Sequence, residues 1–533
     1  MKRILLVLVS AAALWSAACG GGGTVVTPPP PVGKYSNASL NGQYAFVTSG
    51  ESFTGGFSAT PLARTGSFTA DGKGNITGGV EDVNAARTAN LALQITGGNY
   101  TVNADGRGTL TLSITSNAGT SSISFGITLT SINDGLMIDE TLTATQSSTG
   151  SGNFIKQNNG SFAIASVAGS YVFDFSGLDA TQSPESIVGQ FAASGGPVNS
   201  GVEDVNDSGA FTTAAAVSGS FAADGVNTST LTSAGRGIAQ LNGLQYVFYI
   251  VDSTRIRLLS TSGGTMLSGD AVAQVTPAPA SLSGGFVFIV AGTDFTSGIT
   301  RVGRFTVNGT SLSNVHVDTN EAGSKFILTD TVTSASITPD PANPGRGTGT
   351  FTDPAFPNAP FTFVFYLSSP TSGVIQETTV TLANNLAVDV ADGSIAAQTG
   401  SPFTSSNISG TYALNWSGLS SPQNNTFIDE EDFVAQATVS NLAVTGAGDL
   451  FQFSNGLLQT DVVATGPIVI SGDGTGDNVS TTRNTMTLKL ASSKSETLDF
   501  VIYFASPQLA FFADKDNNQG TTRIVAGVLK VQQ

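Results

Sequence analysis

Apolar and polar residues alternate along much of this chain with a period of two. Leu110, Leu112 and Ile114 are separated by Thr111 and Ser113, and Ile123, Phe125, Ile127 and Leu129 are separated by Ser124, Gly126 and Thr128. Met486, Leu488 and Leu490 repeat the pattern near the other end. That period places successive side chains on opposite faces of a β-strand, one dry and one wet. Between such segments stand turn signals, among them Ala70-Asp71-Gly72-Lys73-Gly74-Asn75 and Ala104-Asp105-Gly106-Arg107-Gly108. Asp-Gly accepts the positive φ that a tight hairpin needs. Short loops make neighbouring strands antiparallel, because parallel pairing requires long crossovers.

The strand pattern recurs about four times. Each unit opens with glycine followed by an aromatic strand, at Gly42-Gln43-Tyr44, Gly169-Ser170-Tyr171, Gly284-Gly285-Phe286 and Gly410-Thr411-Tyr412. A second landmark follows at Gly106-Arg107-Gly108, Gly235-Arg236-Gly237, Gly345-Arg346-Gly347 and a weakened Gly474-Thr475-Gly476. Later come the aromatic strands Tyr246-Val247-Phe248-Tyr249, Phe363-Val364-Phe365-Tyr366 and Phe500-Val501-Ile502-Tyr503, and the units close on Gln157, Gln274, Gln398 and Gln532. A fixed long period decides a fold more firmly than local propensity does. The expectation is an all-β protein of about four tandem antiparallel β-barrel or β-sandwich domains, with seven or eight strands each. The units span 38–158, 159–275, 281–398 and 405–533, the fourth being the most diverged. Linkers are expected at Val275–Ala280 and Thr399–Pro402. The opening Gly-x-aromatic strand and the meander order resemble small up-and-down barrels such as lipocalins and avidins.

Composition agrees with this. Glycine supplies 63 of 533 residues and charged residues only 11 %, against a usual charged share of about 25 %. Glycine, serine and threonine are poor in helix interiors and serve turns and half-wet strands well. The formal net charge of −17 repels a polyanion, so nucleic acid is not expected as a partner.

The first residues read differently. Lys2 and Arg3 precede an apolar run from Ile4 to Leu14, and Ser16-Ala17-Ala18-Cys19 follows. This is a secretory signal pattern, expected over 1–18 and too short to cross a bilayer. Small residues before Cys19 and Gly20 after it resemble the lipobox of bacterial lipoproteins, with Ser16 where that family usually places Leu. The resemblance implies cleavage before Cys19, a lipid on its thiol and a cell-envelope address. The lack of Asp after the cysteine implies the outer membrane or cell surface. Cys19 is the sole cysteine, so no intrachain disulfide can form. Gly20 to Gly23 and Pro28 to Pro31 give residues 19–37 the look of a tether, flexible and then semi-rigid.

Candidate chemistry is sparse, and no cofactor motif is present. His316 is the sole histidine, which excludes a His-based triad or a multi-histidine metal site within one chain. It stands in a strand-like stretch where other units carry Glu, and an exposed strand position is expected for it. Gly79-Val80-Glu81-Asp82-Val83-Asn84 recurs as Gly201-Val202-Glu203-Asp204-Val205-Asn206, with a degraded form at Asn314-Val315-His316-Val317-Asp318. Carboxylate pairs can hydrolyse glycosides, but adjacent strand residues point to opposite faces, and a duplicated motif speaks for the fold. Asp514, Asp516 and Asn518 alternate like the start of a calcium loop, yet Gln519 and Val525 occupy the places of its Gly and closing Glu. Asp429-Glu430-Glu431-Asp432 reads as a solvated loop, and the Gly-Arg-Gly landmark as a hairpin turn with an outward arginine. The reading that fits best is a non-catalytic binding, adhesion or structural protein, held to a membrane by its lipid and facing an extracellular glycan or protein. The alternatives are small-ligand-carrying barrels, or a carbohydrate-active enzyme or accessory module. The signal and repeats together resemble predicted bacterial secreted lipoproteins of unassigned role.

Overall fold

The computed structural model describes residues 34–533 except 54–58, 117–118, 144–146, 225–232, 263, 294–297, 322–326, 330–331, 333, 353–359, 380–388, 422–428, 453–456, 471–483, 492–495 and 516–521. The chain is all-β, and its units are barrels, not sandwiches. In the first, the strands Asn41–Phe53, Ala59–Asp71, Asn75–Ala85, Thr88–Val102, Arg107–Ser116, Gly119–Leu129, Asp134–Leu142 and Ser147–Lys156 pair antiparallel in sequence order, and the last pairs back onto the first. The fourth barrel, from Gly410–Ser421 to Thr522–Val531, closes in the same way. The second and third follow the same meander with the fourth strand broken in two, Ala210–Ala216 with Gly219–Ala223 and Ile327–Thr329 with Ser334–Pro339. Both pieces lie along one partner strand, so each ring still has eight staves.

Closure turns one face of every strand inward, and eight strands leave just enough room for side chains. Aromatic residues fill that space. Tyr44, Phe46, Phe68, Phe125 and Phe154 pack together in the first barrel, and Phe173, Phe175, Phe191, Phe221 and Phe248 in the second. The third holds Phe286, Phe288, Phe305, Phe363 and Phe365, and the fourth stacks Trp416 on Phe433 with ring centroids 4.1 Å apart. Part of the high glycine content follows directly. A Cβ on Gly66, Gly189 or Gly303 would stand 2.6, 2.5 or 2.8 Å from the ring of Phe46, Phe173 or Phe288, so a bare backbone is what lets each ring lie down.

The barrels do not hang as separate beads. Each packs against its successor and the fourth packs against the first, which closes the four into a ring. Outward faces that meet a neighbour are apolar. Ala45 and Val80 of the first barrel meet Val247, Tyr249 and Val251 of the second, while Val172, Val188 and Val202 of the second meet Val364, Tyr366 and Val374 of the third.

Two sequence expectations are overturned here. His316 is buried, at 4 % exposure. Its partner across the ladder is Arg304, as Ser67 is the partner of Val80 and Gln190 that of Val202. It therefore occupies the valine position of the motif, one place before the glutamate, on a face that turns toward the next barrel. Glu430, Glu431 and Asp432 are not a solvated loop either. They lie on the strand Asp429–Ser440 at 1 % exposure or less.

Candidate functional site

The repeated motif residues converge on the seams between barrels. Asp82 and Asp204 sit in β-bulges, where the register slips between Glu81 and Val83 and between Glu203 and Val205. A bulge re-aims a side chain and frees a backbone amide. On the strand beyond, Ala92 and Ala214 adopt left-handed backbone with φ of 53° and 50°, and their N–H groups donate to Oδ1 of Asp82 at 2.7 Å and of Asp204 at 3.1 Å. From the next barrel comes the arginine of the Gly-Arg-Gly landmark. Arg236 donates to Asp82 through Nε at 2.7 Å and Nη2 at 2.8 Å, and Arg346 donates to Asp204 through the same two nitrogens at 2.7 Å each. Tyr249 and Tyr366 complete the sets by donating their hydroxyls to the same carboxylates. Burial first, and then the adjacent Asp82 carboxylate, hold the Tyr249 phenol well above its ordinary value.

Two residues past each aspartate an asparagine makes a second bridge. Asn84 Nδ2 donates to the carbonyls of Ser260 and Thr265 at 2.9 and 2.8 Å, Asn206 to that of Asp389 at 2.8 Å, and Asn320 to those of Asp514 and Arg523 at 2.6 and 2.9 Å. The glutamines that close the units make a third. Gln157, Gln274, Gln398 and Gln532 donate through Nε2 to the carbonyls of Ile250, Leu367, Phe504 and Leu129 at 2.7, 2.9, 3.0 and 2.8 Å. The backbone N–H after each glutamine reaches the following carbonyl, Val251, Ser368, Ala505 or Thr130, at 2.7 to 2.8 Å. Four equivalent contacts in one rotational sense, the last returning from Gln532 to the first barrel, define the ring.

The seams are not identical. Between the third and fourth barrels Tyr503 donates to Asp318 at 2.6 Å, while Thr475 of the landmark lies outside the described residues. Between the fourth and first, Asp461 takes the left-handed place of Ala92, and its N–H donates to Asp449 at 2.9 Å. Arg107 pairs with the Asp461 carboxylate at 2.6 Å, and Lys530 adds an ion pair to Asp134 at 2.8 Å. Thr128 stands opposite Arg107 where the other units carry the tyrosine.

Glu81 and Asp82 thus do not act together. Glu81 is fully buried beside Arg64 at 2.9 Å, with Asp139 on the other side of the guanidinium at 3.3 Å. Burial raises the Glu81 carboxyl although Arg64 opposes it; for Arg64 the carboxylates outweigh burial and leave it above its ordinary value. Similar sets close the third and fourth barrels. Arg301 holds Glu377 and Asp389 at 2.5 and 2.9 Å, and Arg523 holds Glu431 and Glu496 at 2.8 and 3.0 Å. Ile187 occupies the matching place in the second barrel, where Glu203 accepts instead from Asn242 at 2.5 Å. Asp204 and Asp82 have both oxygens engaged by donors, which leaves neither carboxylate a lone pair directed at solvent for acid or base work.

Asp514 ends the strand Leu509–Asp514, fully buried beside Arg523, and its carbonyl is taken by Asn320. Asp516 and Asn518 lie outside the described residues, as does Cys19 with the whole signal and most of the tether. Among the described residues no group of three His, Cys, Asp or Glu side chains is placed to hold a metal ion. The arginines were legible as a spacing but not as seam residues. The signal that could have found them is the aromatic strand ahead of each closing segment: Tyr246 to Val251 is apolar at every position, as a strand dry on both faces must be.

No protein-family model and no curated protein matches the sequence. Similar solved structures include a double mutant of the vaccine antigen transferrin binding protein B from Haemophilus parasuis Hp5, 11 % identical over 75 % of this chain and 83 % of that one, with a TM-score of 0.22. The isotype 1 transferrin binding protein B from serogroup B Neisseria meningitidis is 9 % identical over 75 % and 84 %, TM-score 0.21. A putative AttH from Nitrosomonas europaea is 10 % identical over 70 % and 99 %, TM-score 0.17. Overlays that loose fix neither an arrangement of barrels nor an activity.

Proposed function

We propose that this chain is a non-catalytic binding protein of the bacterial cell surface, in which four barrels form one rigid scaffold held off the membrane by a tether with a lipid on Cys19. The observation that carries the reading is where the repeated residues go. Asp82, Asn84, Gln157 and Arg236, with their counterparts, hold barrel to barrel, and the barrel interiors are filled by aromatic side chains. Among the described residues, the lumens are taken up by packed aromatic side chains and the repeated motif by contacts between barrels, which favours binding over catalysis or small-ligand carriage. What remains for a partner is the Thr- and Ser-rich outer wall, such as Thr101, Thr109 and Thr111, and the loops. A ring presents four related walls at fixed spacing, an arrangement that favours avidity for a repetitive extracellular glycan or protein.

The test uses the full mature chain immobilised through its tether and probed against arrays of envelope and extracellular glycans and against outer-surface proteins. Saturable binding without turnover is expected; release of a product from any polysaccharide would overturn the reading. For the anchor, Cys19→Ala is expected to move the protein from the membrane fraction to the soluble one, and an unchanged distribution would refute lipidation.

A further inference from the structure

The seam between the second and third barrels contains two carboxyl groups and no cation for them. Asp174 lies on Ala168–Leu178 between the lumen residues Phe173 and Phe175, so it points outward, and Asp392 lies beside the lumen residue Ala391 on Val390–Ala397. They are 6 % and 2 % exposed. Their strands pack against each other across the seam: Gln376, the ladder neighbour of Asp392, donates to Ser186 on the same strand whose Val188 is the ladder neighbour of Asp174. Ionised carboxylates only accept, so the two can bond to each other only while one of the pair carries a proton.

The surroundings supply no alternative. Oδ1 of Asp174 and Oδ2 of Asp392 are buried and receive no donor. The Ser186 hydroxyl receives Gln376 Nε2 at 2.8 Å. The charged groups on the neighbouring strands of the second barrel are engaged elsewhere: Arg255 pairs with Asp270 at 3.1 Å, and Arg257 donates to the carbonyl of Asn153 of the first barrel at 3.2 Å. Asp270 adds a further negative charge facing Asp174. Among the described residues no ion pair reaches either carboxyl.

We infer that this seam is a proton-held latch, closed while Asp174 and Asp392 share a proton and loosened when it is lost, so that the ring relaxes on the alkaline side. Burial, and then the charge of Asp392, raise the Asp174 carboxyl well above its usual range, while Asp392 is raised to about 6, chiefly by burial. Folded-state values above the unfolded ones give stability that is fully present below about pH 4 and is lost as pH climbs through 6 and beyond. The contribution therefore falls toward alkaline pH, the reverse of a carboxylate held by arginine.

The test is hydrogen exchange of the full chain at pH 5, 7 and 9, corrected for intrinsic exchange, comparing wild type with Asp174→Asn. The amide donates to Asp392 without titrating. In wild type, protection of Ala168–Leu178 and Val390–Ala397 is expected to fall about tenfold or more relative to Arg107–Ser116 between pH 5 and 9, since one unit of pKa displacement is a tenfold effect; in Asp174→Asn it is expected to stay level. Wild-type protection that is flat with pH, or an equal fall in the variant, would overturn the latch. Should Asp174→Asn not fold, Asp392→Asn reverses the donor and must give the same levelling.

Discussion

Arg236 of the second barrel grips both oxygens of Asp82 of the first, at 2.7 and 2.8 Å, with the two side chains 3 % and 0 % exposed. A bidentate pair out of water stabilises little relative to apolar residues of the same shape, but removing one partner strands a buried charge. Asp82→Ala is therefore expected to cost about 3–5 kcal/mol, and Asp82→Ala with Arg236→Met to recover most of it. Urea unfolding of the four members of that cycle checks this. A loss below about 1 kcal/mol for Asp82→Ala, the worth of an exposed pair, would mean that the seam is open in solution.

Ring closure depends on a different set. Gln532, Lys530 and Arg107 fasten the fourth barrel to the first; the Gln532 bond is buried, and its loss leaves a polar group unsatisfied at about 1–3 kcal/mol, while the more exposed Lys530 and Arg107 pairs add about 0–1 kcal/mol each. The triple variant Gln532→Ala, Lys530→Ala, Arg107→Ala is expected to keep its β-sheet circular dichroism while X-ray scattering shows a larger maximum dimension. An unchanged scattering curve would show that these three residues do not hold the ring.

The lumens are expected to behave as cores. Trp416 is fully buried, stacked on Phe433 and 5.5 Å from Phe500 between ring centroids. Trp416→Ala is expected to lose about 3–5 kcal/mol in thermal unfolding. A loss within about 0.5 kcal/mol, the range of surface substitutions, would mean a loosely filled barrel, and ligand carriage would return as a reading.

Glu140 gives a second pH effect, separate from the Asp174 seam. It is 6 % exposed, its Oε1 has no donor, and burial, then Asp449 and Asp139, raise its carboxyl well above the ordinary value. A raised acid contributes stability below its unfolded pKa and loses it as pH rises. Glu140→Gln is thus expected to raise the melting temperature at pH 8 and leave it nearly unchanged at pH 4. A variant no more stable than wild type at pH 8 would contradict the burial of a charged Glu140.

Much of the fold was legible because each strand carries its own alternation, as at Leu110 to Ile114, and because landmark spacing repeats. The barrel form was not, since a sandwich and a barrel have the same local periodicity; only the pairing of Asn41–Phe53 with Ser147–Lys156 separates them. The ring was hidden for a related reason. Asp82 and Arg236 are 154 residues apart, and nothing local says that one awaits the other. His316 differs from expectation because a polar residue on a strand is ordinarily wet, and Glu430 to Asp432 because a run of carboxylates is ordinarily a solvated loop. Here neighbouring barrels cover the outer face, and Arg523 and Gln452 satisfy the charge of Glu431.

All four seams join unlike faces in the same direction, from the Asp82-type surface of one barrel to the Arg236-type surface of the next. Contacts of this heterologous kind end in closure only when the turn per unit matches the number of units. A chain shortened by one repeat would keep a donor face at one end and an acceptor face at the other. Such molecules would recruit one another in solution, and light scattering would report concentration-dependent polymers where the intact protein satisfies itself.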